Sequence, residues 1–188
     1  MEDAEYFGTA LALSTACIGR VVDMDWSVPA GTLDWTCWQT VDHMVDCVFS
    51  FAMQLSAQAP SGFLPFNELH ALTEAAPSDL HLGLEAVGYM FSAVLRSVPP
   101  GRSASDGVVD LGVTDWARRG GYELLLHTHD VSEGLGVAFE PPASMCAWIL
   151  GSRSLWMFAR ERAENADSPW MALLTGSGRH SESGPSTG

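Results

Sequence analysis

Glu123 and His127 are the residues whose types and spacing most directly offer chemistry. They lie in Asp115–Gly136, DWARRGGYELLLHTHDVSEGLG. A helical residue advances about 100° on its predecessor, so the pair sits one turn apart on one face. Trp116, Gly120, Asp130 and Gly134 share that stripe, and the apolar Ala117, Leu124, Val131 and Leu135 lie about a quarter turn away. A carboxylate, an imidazole and two glycines therefore border the core, where a small cavity has room to open. A divalent ion held by neutral imidazoles and one carboxylate, with positions left over, is a recurrent catalytic arrangement. His43, on a separate apolar segment, is the best available third ligand. Asp130 is placed to hydrogen-bond a ligand imidazole and fix its tautomer.

Other readings of the same residues stay open. A Glu–His pair at this spacing also occurs as a solvent-facing hydrogen bond. His43 also suits a core-edge histidine, and Cys47, one turn later, a small buried hydrophobe. Arg119, Cys47 and Trp116 are the candidates for substrate contact. Arg118 and Arg119 would steer an anionic substrate, or else form exposed salt bridges. His129 points about 200° around the helix from His127 and is left out. His70, His81 and His180 read as surface histidines.

Helical periodicity supplies the elements that must position these groups. A first helix covers 3–22, and a loop containing Pro29 and Gly31 follows. A second helix opens with a Thr36–Gln39 capping box and runs to about Ala57. It is apolar over most of its circumference, as a central helix is. The proline-bearing stretch Gln58–Pro77, with one short helical turn expected around Phe66–Thr73, reads as a crossover. Ser78 is expected to cap a third helix over 79–98, stopped by Pro99-Pro100. GVVDLG is expected to be extended but too isolated for a sheet. Thr114 is expected to cap the helix that carries Glu123 and His127. Pro141-Pro142 opens a fifth helix through Arg162, followed by a short apolar segment, DSPWMALL, and a polar tail. The expected fold is an all-α bundle of four main helices with a long crossover and an extra C-terminal helix, one domain over 1–179 and a disordered tail over 180–188.

Composition narrows the function classes. The chain has 188 residues, 47% of them hydrophobic, and seven tryptophans, as a globular domain does. Its formal charge is −14, and arginine supplies all nine basic side chains. That balance argues against nucleic acid and anionic membranes as partners. The lack of lysine excludes a Schiff base or a Walker-type phosphate loop. Four scattered cysteines without a CxxC pair fit free thiols in a reducing compartment. The acidic N-terminus does not read as a signal peptide, and no apolar run approaches a membrane span. A cytoplasmic protein acting on a small molecule is the expectation.

Several of these residues form a recognisable series. Trp35-Thr36 with Val41-x-His43, then Glu123-Leu124-Leu125-Leu126-His127-Thr128-His129-Asp130, resemble the metal-binding domain of mycothiol-dependent maleylpyruvate isomerases, within the DinB-like superfamily. Ser168-Pro169-Trp170 through Leu174, with Gly178-Arg179, resemble the end of many actinobacterial members. The likeness spans most of the chain and is strongest over 35–55 and 115–180. It implies a DinB-like four-helix bundle binding zinc or a similar divalent ion, with the family's His, Glu and His ligands falling on His43, Glu123 and His127. It also implies mycothiol as a cofactor, its thiolate adding to an electrophile. Such bundles commonly form dimers, so a homodimer is compatible with the likeness. Full-length isomerases carry a further C-terminal domain for which this chain has no room, so the resemblance extends to the metal-binding domain and leaves the substrate open.

Three functions follow as expectations. The first is a metal-dependent thiol transferase or isomerase acting on a small electrophile. The second keeps the metal but activates water, giving a hydrolase or lyase. The third is a non-catalytic bundle in which the ligands serve stability or small-molecule binding.

Overall fold

The computed structural model describes residues 2–66, 68–99, 101–152 and 158–180. Four long helices carry the architecture: α1 (Glu2–Gly19), α2 (Cys37–Ala57), α3 (Pro77–Ser97) and α4 (Val113–Gly134). Each of α1 and α2 packs against both α3 and α4. Side-chain pairings fix the directions. Asp3 meets Thr114 and Cys17 meets Ser132, so α1 and α4 run parallel. Phe51 packs near Phe91, and Gly83 lies against Val45, so α2 and α3 are also parallel. Phe51 meets Trp116 while His43 meets His127, which makes α2 and α4 antiparallel. Two parallel neighbours joined in sequence need a long return, and 58–76 supplies it. The all-α bundle and the crossover agree with the sequence reading. The apolar stripes of all four helices meet in one core that includes Phe7, Met44, Leu84, Phe91, Trp116 and Leu124.

Local chemistry sets the helix ends, not always through the expected residue. Thr36 Oγ1 accepts from the Gln39 N–H at 3.2 Å, and Gln39 Oε1 accepts from the Thr36 N–H at 2.9 Å, which completes the expected capping box. At α3 the cap position is Ala76, whose N–H donates to Asp79 Oδ2 at 2.9 Å. Ser78 is already inside the helix, because Pro77 supplies a first-turn residue with no N–H to satisfy. At α4 the cap position is Gly112, and Thr114 instead donates to Asp3 Oδ2 at 2.7 Å, tying the starts of α4 and α1 together.

The expected helical turn around Phe66–Thr73 does not form among the described residues. Side chains of α2 take up the backbone groups it would need. Asp46 accepts from the Leu69 N–H and Asp42 from the Ala71 N–H, each at 2.8 Å. Gln54 bonds both Gly62 and Leu64. The crossover is thereby laid along α2 as an extended strap.

The segment expected to be too isolated for a sheet is paired after all. Strands β1 (Ser103–Ser105) and β2 (Asp110–Gly112) form an antiparallel hairpin with Ala104 opposite Leu111. Its turn is closed by Asp106 Oδ1, which accepts from the Val108 and Val109 N–H groups, and by Gly107 at φ 91°. Serine and alanine carry little strand preference, so the first strand was not apparent from composition.

The continuous fifth helix is also revised. α5 (Ala143–Leu150) stops at Gly151, whose carbonyl accepts from Arg118 Nη1 at 2.8 Å. Leu155 and Trp156 lie outside the described residues. A short α6 (Arg160–Ala163) and α7 (Pro169–Gly176) follow, the latter capped by Ser168, which accepts from the Met171 N–H at 3.2 Å. Arg179 and His180, the first residue of the expected tail, turn back onto α7, both N–H groups meeting the Leu174 carbonyl, at 2.8 and 3.2 Å. Residues 181–188 lie outside the described residues. All four cysteines are free, and no described helix is long and apolar enough to cross a membrane.

Candidate metal centre

The antiparallel crossing of α2 and α4 brings His43 opposite Glu123 and His127. Within α4, Glu123 Oε2 stands 3.3 Å from His127 Nε2, as the one-turn spacing requires. Across the interface, the rings of His43 and His127 lie 5.1 Å apart between centroids at 88°. One ligand atom from each of the three residues falls within 4.8 Å of the other two. Donors on one tetrahedral zinc, with bonds of about 2.0–2.2 Å, stand ~3.4 Å apart, so a small closure of side chains brings the group onto an ion. The donor set suits a divalent cation: two imidazoles and one carboxylate, with coordination positions to spare. These three residues could hold a metal ion, and they are the three picked out in the sequence.

Asp130 and Arg179 stand behind them. His127 Nδ1 is 3.0 Å from Asp130 Oδ2, which leaves Nε2 on the side of Glu123. Arg179 Nε donates to Asp130 Oδ1 at 2.8 Å and its Nη2 to Oδ2 at 2.6 Å. Helical spacing points to Asp130, whereas Arg179, 49 residues further along the chain, gives no spacing signal and stands in the sequence only within the family likeness of Gly178-Arg179.

Electrostatics poise the cluster for a cation. Burial pushes the His43 imidazolium below its usual range, and the neighbouring His127 adds to that, so its ring nitrogens stay neutral and available. For Glu123, burial works to raise the pKa, but the hydrogen bond and charge of His127 outweigh it, and the carboxyl ends below its ordinary value. For His127, burial works downward and is outweighed by hydrogen bonds to Asp130 and Glu123, which hold it above the usual value. A proton on His127 Nε2, facing Glu123, would have to leave for a cation to bind there.

Cys47 Sγ sits 3.3 Å from His43 Nε2, but burial drives its thiol pKa well up, and the sulfur is a neutral neighbour of the three donors. Trp35 is 41% exposed and lies over the site, 4.8 Å from the His43 ring and 6.4 Å from that of His127. The centre opens into a cavity of about 1030 Å³ walled by α2, α4 and the crossover. Phe63, Leu64 and Phe66 of the crossover contribute to that wall, which helical periodicity could not indicate.

Other candidates fall elsewhere. Trp116 is fully buried, donates Nε1–H to the Ala104 carbonyl at 3.3 Å and packs on Phe51, so it meets no substrate. Arg119 does line the cavity, but as half of a buried ion pair, with Nη1 3.0 Å from Asp106 Oδ2. Arg118 faces α5, bonded to Gly151 and lying over the Trp148 ring. Gly120 and Gly134 do not border the cavity. A methyl at Gly120 would meet Phe7 and Phe91, and one at Gly134 would meet the Pro29 carbonyl and Cys37. Their role is close packing of helix against core and loop. His129 faces Trp170 and Glu133, away from the three donors. His70 bridges Asp42 and Glu68 on the crossover, and His180 is exposed. His81 bonds the Thr15 carbonyl at 3.0 Å.

Comparison with protein-family models, curated proteins and solved structures yields no match.

Proposed function

We propose that this chain is a DinB-like, metal-dependent enzyme that uses a small thiol, mycothiol in the family it resembles, to transfer sulfur to or isomerise an electrophilic metabolite. The observation that supports this most is the meeting of three donors from two helices, within 4.8 Å, on the wall of a 1030 Å³ cavity. A purely structural ion would sit in a closed four-ligand shell, whereas catalytic sites keep an open position facing the substrate. Zinc suits the donors, although the reading requires only a divalent ion.

In this reading His43, Glu123 and His127 hold the ion, and Asp130, steadied by Arg179, keeps His127 in the tautomer that presents Nε2. The ion supplies Lewis acidity, which makes a coordinating thiol reactive as thiolate at neutral pH. Trp35 shields the centre from water, and the cavity orients the electrophile. A thiol bound beside His43, Glu123 and His127 would supply a nucleophile toward a conjugated electrophile: reversible addition would isomerise it, and protonation after addition would give a thioether.

Metal analysis of protein purified without chelator, by inductively coupled plasma mass spectrometry, should find about one ion per chain. His127→Ala should lose it. Incubation with mycothiol and monobromobimane should then give conjugate faster with wild type than with His127→Ala. Conjugation no faster than the uncatalysed rate would remove the thiol chemistry, and turnover without any thiol would point to water as the nucleophile.

A further inference from the structure

The cavity is charged unevenly. Its walls are apolar, formed by Phe49, Phe51, Met53, Phe63, Leu64 and Leu126. Its two arginines are each bound to a buried carboxylate: Arg119 to Asp106 at 3.0 Å, and Arg179 to Asp130 at 2.6 Å. Asp34, Asp46 and Glu68 also line it, and Asp34 and Glu68 are exposed. An anion entering from solvent passes carboxylates and meets arginines already engaged. Taking up a charged group among such walls costs its hydration. An apolar body instead gains by burial roughly in proportion to its area. Trp35, Phe63, Phe66 and Leu69 are all exposed around the opening, and they present aromatic and branched surface to such a body.

We infer that the cavity selects an uncharged, largely apolar molecule with an aromatic or branched hydrocarbon body, and discriminates against anions. Of the two readings the sequence left open for Arg119, anion steering or a salt bridge, the ion pair with Asp106 favours the second, although it is buried rather than exposed. The inference takes from the proposed function only that substrate occupies this cavity; it does not depend on the ion. A cavity of this volume falls in the range of small-molecule sites, which are mostly apolar with a few placed polar groups.

The test uses two fluorescent probes with one ring skeleton: N-phenyl-1-naphthylamine, which is neutral, and 8-anilinonaphthalene-1-sulfonate, which adds a sulfonate. Both are titrated into the full chain with chelator present. The neutral probe is expected to bind at least about tenfold more tightly, a difference of ~1.4 kcal/mol. Ser50→Trp and Met53→Trp, each placing an indole in the cavity, should weaken the neutral probe by about tenfold or more while circular dichroism stays that of wild type. Asp46→Asn with Glu68→Gln should tighten the sulfonate and leave the neutral probe unchanged; the Asn oxygen still accepts from the Leu69 N–H. Glu85→Gln with Glu161→Gln, away from the cavity, should change neither. Equal or tighter binding of the sulfonate to wild type overturns the inference. So does neutral-probe binding that survives in both cavity-filling variants, or that is absent from wild type. Metal content, measured on the same preparation before chelator is added, separates the two readings. A metal-free chain that prefers the neutral probe sinks the metal centre and keeps this inference, and a metal-loaded chain without the preference does the opposite.

Discussion

Arg179 grips Asp130 with two nitrogens, Nε at 2.8 Å from Oδ1 and Nη2 at 2.6 Å from Oδ2, and so braces His127, one of the three candidate metal donors, from beyond the four-helix bundle. The fork satisfies both carboxylate oxygens, one of which also receives His127 Nδ1 at 3.0 Å. Such two-pronged, charge-assisted bonds fix orientation as well as adding attraction.

Loss of that brace should show first in metal affinity. Arg179→Ala is expected to weaken binding by about 10–100-fold, the usual effect of removing a group that orients a ligand. Arg179→Lys should recover only part, since an ammonium cannot span both oxygens. Competition against a chromophoric chelator measures this directly. An unchanged dissociation constant in Arg179→Ala would show that the fork has no bearing on the ion.

The close approach of α4 to the loop before α2 makes Gly134 intolerant of any side chain. A methyl there would meet the Pro29 carbonyl and stand 2.9 Å from Cys37 Sγ, and backbone cannot move aside as a side-chain tip can. Gly134→Ala should destabilise by about 1–3 kcal/mol, a fall in Tm of ~2–4 °C for each kcal/mol. Gly8 is the contrast: a methyl there meets nothing within 4 Å. Gly8→Ala should stabilise by about 0.5–1 kcal/mol through helix propensity alone. Differential scanning calorimetry of both variants decides the matter.

Arg119 and Asp106 form an ion pair with 6% and 1% of their side chains accessible. Asp106 also closes the β1–β2 turn through the Val108 and Val109 N–H groups. Removing one partner strands a buried charge, so Asp106→Ala should cost about 3–5 kcal/mol. Adding Arg119→Met to that variant should recover part of the loss, since no charge is then stranded. Urea unfolding midpoints across the cycle test this, and a double variant no more stable than Asp106→Ala would contradict it.

The strap over α2 carries a pH-dependent fastening. Hydrogen bonds donated to Asp42 and then to Glu68 hold the His70 imidazolium above its ordinary value of 6.5. A raised folded pKa means the fastening is complete below about 6.5 and is lost as pH rises through the folded value. Proton NMR should show His70 titrating above its usual range, and Asp42→Asn should bring it down. Exchange of the Leu69 and Ala71 amides should quicken over the same rise in pH.

Some of this protein was settled by residue order. The Thr36–Gln39 box set the start of α2 because both bonds lie within one turn. Glu123 and His127 were bound to share a face because helical pitch is fixed over four residues. Apolar stripes on four segments required a bundle, and the length of 58–76 allowed its parallel neighbours. Tertiary structure decided what local spacing cannot. His43 became a partner of Glu123 and His127 only because α2 and α4 cross antiparallel at that height. Trp35 was placed over the site by the loop, and Arg179 was carried to Asp130 by the turn after α7. The fate of Arg119, open in the sequence between an anion guide and a salt bridge and in the fold an internal ion pair, rested on Asp106, brought within 3.0 Å by a hairpin. Backbone pitch and capping act over a few residues and are written in neighbouring letters. Cavities, ion pairs and supporting contacts come from segments far apart in the chain, whose meeting is set by how the whole core packs.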